Sequence, residues 1–91
     1  MDCFQVPKVV NIHVLKAIYF FSECVLLDYI PSSSIKLEVA YTIRNANPVQ
    51  NLDAAIESSL KNFSLLGILK ETVTGSDEKL YELQLKPSNG T

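Results

Sequence analysis

The sequence predicts an α+β domain in which a three-helix bundle is followed by a C-terminal β-hairpin, and three observations carry that expectation. Apolar residues recur at helical spacing in three segments, near 7–23, 36–43 and 51–66. Clusters of Pro, Ser and Asn separate those segments. After Gly67 the apolar period changes from helical to two. Ninety-one residues suffice for one modest core, and 47% hydrophobic against 20% charged residues is the balance of a chain that folds. The domain is expected over residues 7–85, with a short leader at 1–6 and a polar, disordered tail at 86–91.

Pro7 suits the first turn of a helix, because its missing N–H falls among groups that have no helical partner. The first helix should run from about Pro7 or Lys8 to Ser22 or Glu23, with apolar residues in nearly every direction and Asn11, His13 and Lys16 as interruptions. The continuation from Cys24 to Ile30 reads equally as helix end or buried strand. Pro31 breaks the chain, and the hydroxyls of Ser32, Ser33 and Ser34 can cap a second helix starting near Lys36. Its inward positions are expected to be Leu37, Val39, Ala40 and Ile43, with Lys36, Glu38 and Thr42 outward, and Asn45-Ala46-Asn47-Pro48 ends it.

Asn51 is a good N-cap residue, and Asp53 in the first turn complements the helix dipole of a third helix. Leu52, Ile56, Leu60 and Phe63 gather on one face of that helix, flanked by Ala55, Ser59 and Leu66, until Gly67 stops it in the left-handed conformation. The hairpin follows as Ile68–Thr74 and Lys79–Leu85, joined by a polar tip at Gly75–Glu78, with Tyr81, Leu83 and Leu85 alternating with Glu82 and Gln84.

Charge and chemistry narrow the function classes. The net charge is −2, without the basic surplus that nucleic-acid domains use to displace counterions. Two cysteines and one histidine leave too few soft ligands for a tetrahedral zinc site, so no metal or other cofactor is expected. No secretory signal precedes Cys3, so Cys3 and Cys24 are expected as reduced thiols in a nuclear or cytoplasmic protein, not a secreted one. Residues 9–27 are too often interrupted by polar groups to span a bilayer, which asks for about 20 largely apolar residues. His13 and Cys24 lie eleven residues apart with no orienting motif, and carboxylates such as Asp77 with Glu78, or Glu71 with Glu82, belong on a solvated hairpin. No catalytic role is expected.

The stretch Ser34–Ile43, the run Asn51–Lys70 ending in Leu-x-x-Gly-x-Leu, and the Tyr-x-Leu of the last strand together resemble winged-helix domains, especially the linker-histone globular type. The resemblance covers roughly residues 7–85 and rests on core spacing. It implies a winged helix-turn-helix, whose third helix in many members enters the DNA major groove. The corresponding outer face here offers Asp53, Glu57, Lys61 and Leu65, and the hairpin tip is acidic on balance, so neither DNA-contacting surface carries over.

The expected role is therefore a non-catalytic interaction module, an adaptor or scaffold in a nuclear or chromatin-associated complex. Its partner is another protein or a second copy of the chain. The apolar surplus of the first helix supplies one candidate surface, Val10, Val14, Tyr19, Phe20 and Phe21; the outer face of the third helix, Asp53, Glu57, Lys61 and Leu65, supplies another. Each apolar side chain buried at such a surface contributes roughly 1.5–3 kcal/mol. The alternative is nucleic-acid binding through Lys8, Lys16, Lys36 and Arg44, with Lys86, grouped by the fold into a basic patch.

Overall fold

Helical periodicity and the change to alternation after Gly67 translate into three helices and a small antiparallel sheet. A computed structural model describes residues 6–45 and 49–84. Helix α1 spans Lys8–Tyr19 and continues as a π-helical turn over Phe20–Cys24. A two-residue strand β1, Ile30–Pro31, leads into α2, Ser32–Thr42; α3 spans Leu52–Leu65, and β2, Leu69–Val73, and β3, Lys79–Leu83, form the hairpin. The sheet order is β1-β3-β2, all antiparallel, with Ile30 opposite Tyr81 and Leu69 opposite Leu83.

The core lies where the three helices meet the inner face of that sheet. Val10, Val14, Ala17 and Ile18 recur at the spacing of one helical face and are buried, and Ile35, Val39 and Ile43 do the same along and just beyond α2. Ala55, Ile56 and Leu60 come from α3, and Ile30, Leu69, Tyr81 and Leu83 from the strands. A polar pair enters this interior: the wholly buried Ser59 hydroxyl of α3 donates to Asn11 Oδ1 of α1 at 2.6 Å. Asn11, a polar interruption in the sequence, is thus the acceptor that makes Ser59 tolerable inside the bundle.

Gly67 ends α3 as its sequence position predicts. With φ +83° it occupies the left-handed region, its N–H bonds Ser64 O at 3.1 Å, and the Ile68 N–H reaches back to Phe63 O at 2.9 Å. That pair of bonds is the Schellman arrangement, which satisfies the last carbonyls of the helix. At the hairpin tip the Asp77 N–H bonds Thr74 O at 3.0 Å, Asp77 itself is left-handed, and Thr74 Oγ1 accepts from the Glu78 N–H at 3.2 Å. This is a three-residue loop of the type I plus bulge kind, with Asp in the place usually held by Gly.

Several expectations are corrected. Helix α2 starts at Ser32, four residues earlier than Lys36, and no serine caps it by a side-chain bond. Pro31 is already extended, so the helix can start directly after it, and Ser33 Oγ instead donates to Glu78 Oε2 at 2.8 Å, tying the helix start to the hairpin tip. Adding Ile35 to the wheel rotates the inward face to Ile35, Val39 and Ile43, and leaves Leu37 74% exposed and Ala40 outward. Asn51 does not cap α3 through its side chain; it sits at φ +58°, and its carbonyl accepts the Ala55 N–H. Leu66, placed beside the inner face of α3, is 71% exposed because it follows the last helical residue. The two readings left open for Cys24 to Ile30 each hold at one end only: Cys24 closes the π turn, Ile30 is a buried strand residue, and residues 25–29 between them are irregular and exposed. Most of the 1–6 leader, Leu85 and the tail lie outside the described residues.

Candidate interaction surface

Exposed apolar side chains occur singly or in pairs at Ile12, Leu37, Tyr41, Leu65, Leu66 and Val73, but their longest run lies just beyond α1 rather than along it. Val10 and Val14, expected on an open face, are fully enclosed between α1, α2 and α3 and have no surface to offer a partner. Tyr19 and Phe21 are half-buried and pack on the core, and Phe20 is 42% exposed with its ring edge-on to Phe21 at 5.3 Å between centroids. From there the chain opens outward: Val25, Leu26, Leu27 and Tyr29 are all exposed, Leu26 by 75%.

Backbone geometry produces that exposure. The Val25 N–H bonds Phe20 O at 3.1 Å, an i→i−5 closure, and the Leu27 N–H bonds Phe21 O at 2.9 Å, one residue wider still. A widened turn advances each side chain by less than 100° per residue, so the buried stripe of α1 does not continue into it. Leu26 then adopts φ +64°, a conformation that crowds Cβ against the backbone and is disfavoured for a bulky residue by about 1–2 kcal/mol. Beside it is a shallow depression of about 210 Å³, where Leu26, Leu27 and Leu83 meet the carboxylates of Glu23, Asp28 and Glu82. No Lys or Arg lines it.

The outer face of α3 is a charge clamp. Lys36 Nζ, projecting from α2, lies 2.6 Å from Glu57 Oε2 and 3.3 Å from Asp53 Oδ2. Hydrogen bonding to Glu57, and then to Asp53, holds the lysine pKa above its ordinary 10.5 against the opposing effect of burial. Lys61 and Leu65 of the same face are exposed. A groove of about 710 Å³ runs between the start of α2, α3 and the hairpin, and its charged lining is balanced, Lys36, Lys61 and Lys79 against Glu57, Glu71 and Asp77. On its wall the Tyr81 hydroxyl donates to Glu71 Oε1 at 3.3 Å, and Lys79 lies 3.8 Å from Glu71. Burial, reinforced by the neighbouring Glu71 carboxylate, pushes the Tyr81 pKa well above its ordinary value.

Of the four cations in the nucleic-acid alternative, two are already engaged within the fold. Lys36 is clamped as described, and the Arg44 guanidinium stacks 4.0 Å above the Tyr41 ring while donating to the Tyr41 carbonyl at 2.6 Å. Lys8 and Lys16 are exposed on α1, separated by about 12 Å along its axis. Lys86 lies outside the described residues.

The residues weighed for chemistry are kept apart. His13 Nδ1 meets Thr42 Oγ1 at 2.9 Å, while Cys24, a free thiol, stands about 16 Å further along the chain axis and is exposed. Glu71 faces Tyr81 across the hairpin and Glu82 faces Lys70, so those two carboxylates lie on opposite faces of the sheet. Among the described residues no cluster of three or more His, Cys, Asp or Glu is placed to hold a metal ion. Among the same residues no helix is long and apolar enough to cross a membrane. No family model, curated protein or solved structure matches the chain significantly.

Two features of this surface escape sequence reasoning. The exposure of Val25–Tyr29 follows from a π turn and a left-handed leucine, neither of which has a compositional signature. Strand β1 is two residues long and includes a proline, too short for any period. Pro31 alone hints at it, because proline is tolerated at a sheet edge and excluded from its centre.

Proposed function

We propose that this domain is a non-catalytic protein-interaction module of winged-helix type, serving as an adaptor or scaffold in a nuclear or chromatin-associated complex. The order α1-β1-α2-α3-β2-β3, with β1 joining the hairpin through β3, supports the winged-helix reading. The observation that carries the function is the run Phe20, Val25, Leu26, Leu27 and Tyr29, exposed although each residue is large and apolar. Apolar side chains concentrated in ten residues of a small domain mark a surface that another molecule covers. The self-neutralised outer face of α3 argues against phosphate as that molecule, since Asp53 and Glu57 already occupy Lys36.

The test compares wild type with Leu26→Ser/Leu27→Ser as baits in nuclear and cytoplasmic extracts, beside a gel-shift titration with duplex DNA at low salt. Retention of a defined protein by wild type and its loss from the variant is the expected result. Retention of the same proteins by both baits, or a DNA shift in the micromolar range that Lys8→Glu/Lys16→Glu abolishes, overturns the reading.

A further inference from the structure

Resting on that interaction reading, the structure also constrains what kind of partner fits. Where residues 22–28 fold against the sheet, Glu23 from the π turn, Asp28 from the loop and Glu82 from β3 line a depression with Ser22, Leu26, Leu27 and Leu83, and the nearest cation in the sheet register is Lys70, opposite Glu82 on β2. We propose that this depression docks an amphipathic helix of another protein, whose apolar residues cover Leu26 and Leu27 and whose flanking Lys or Arg residues meet Glu23, Asp28 and Glu82.

The alternatives fail on the same charges. A second copy packed about a two-fold axis would set this patch against itself, because an isologous interface presents the same residues from both sides. Three carboxylates would then face three carboxylates at the rim, and like-charge juxtaposition across an interface is strongly unfavourable. Anionic lipid surfaces and nucleic acids meet the same repulsion. A helix with a basic border brings the opposite sign to the rim and apolar area to the leucines, the arrangement by which helices lie in grooves.

The backbone supports a docking role independently of charge. A π turn and a left-handed Leu26 are both disfavoured locally, and together they lift the leucine side chain off the domain instead of onto it. Strain held at an exposed apolar residue does nothing for the core. It does leave a large apolar side chain open to a partner at the edge of the depression, and buried apolar anchors dominate binding at the centre of an interface.

The test uses the whole chain, isotopically labelled, and two synthetic 18-residue helical peptides of identical Leu pattern, one with Lys and the other with Glu at every polar position. Amide shifts on titration with the Leu/Lys peptide should map to Phe20–Tyr29 and the end of β3, with affinity at least about tenfold above the Leu/Glu peptide. Glu23→Lys/Asp28→Lys, with folding checked by circular dichroism, should reverse that preference, and Leu26→Ser should abolish binding of either peptide. Shifts confined to the α3 groove, equal affinity for both peptides, insensitivity to Leu26→Ser, or concentration-dependent dimerisation through the Leu26 patch would each overturn the proposal. If instead a partner is still captured from extracts through Leu26 while the Leu/Lys peptide fails, the interaction reading stands and the basic-helix inference alone falls.

Discussion

Residues 10–18 and residues 20–29 are similarly apolar stretches that follow one another in the chain, yet they differ in fate. In the first, Val10, Val14, Ala17 and Ile18 keep the α-helical phase and all four are buried, while Ile12, off that phase, is exposed. In the second, the turn widens at Phe20, Leu26 swings into the left-handed region, and five large apolar side chains face solvent. Apolar content alone therefore does not decide burial; the angular step of the backbone decides which residues aim at the bundle. A sequence can expose an apolar run simply by changing that step at the end of a core helix.

The largest effects expected of single substitutions fall on the first stretch. Ile18→Ala should destabilise the domain by about 2–5 kcal/mol in urea unfolding, because the buried side chain leaves a cavity that its neighbours only partly fill. Leu26→Ser, an equally drastic chemical change eight residues on, should alter stability by no more than about 0.5 kcal/mol. Comparable losses at both positions would break the contrast between the two stretches.

How far this contrast can be read from the sequence depends on what carries it. The bundle and hairpin were legible because Ile56, Leu60 and Phe63 repeat at helical spacing and Tyr81 and Leu83 alternate, while Gly67 marks the change between them. The rotation of α2 was missed because Ile35 precedes the position where the Ser-rich turn suggested a helix start. The Lys36 clamp was invisible for a different reason, since it joins residues 17 and 21 positions apart that only tertiary packing brings together. The protruding Leu26 was not legible at all, because a leucine carries no preference for positive φ.

Within the buried half, Asn11 provides a sharper test. Its acceptor satisfies the Ser59 hydroxyl at zero exposure, so Asn11→Leu should strand that hydroxyl and destabilise the domain by about 1–3 kcal/mol. The double variant Asn11→Leu/Ser59→Ala should recover part of this loss, and urea unfolding of the four proteins gives the coupling. Strict additivity would mean that the bond is not what fixes α1 against α3.

The exposed half should respond in the other direction. Leu26→Gly removes the steric penalty of φ +64° and sacrifices little burial, so even after the extra chain entropy of glycine the domain should gain about 0.5–1 kcal/mol. The same substitution deletes the apolar anchor and should abolish binding of the Leu/Lys peptide. Stability rising while binding disappears would identify Leu26 as a residue retained for recognition. A destabilised Leu26→Gly would show that the side chain supports the fold after all.

The smallest effect is a pH dependence that should be blind to the exposed run. Lys36 holds its proton more tightly in the folded domain, chiefly through its bonds to Glu57 and Asp53, and Tyr81 does so through burial beside Glu71. For both groups the folded pKa is raised, so their contribution is fully present below the unfolded values near 10 to 10.5 and is lost as pH rises above them. Stability should therefore fall from about pH 10 upward, and Lys36→Met should flatten part of that slope while costing about 0.5–1 kcal/mol at neutral pH. Leu26→Ser should leave the slope unchanged, because neither titrating group borders the run. Urea midpoints of the three proteins between pH 8 and 11 measure this; a slope altered by Leu26→Ser would mean that the protruding run and the α2–α3 clamp are mechanically linked, and the separation between a structural and a recognising half of the domain would not hold.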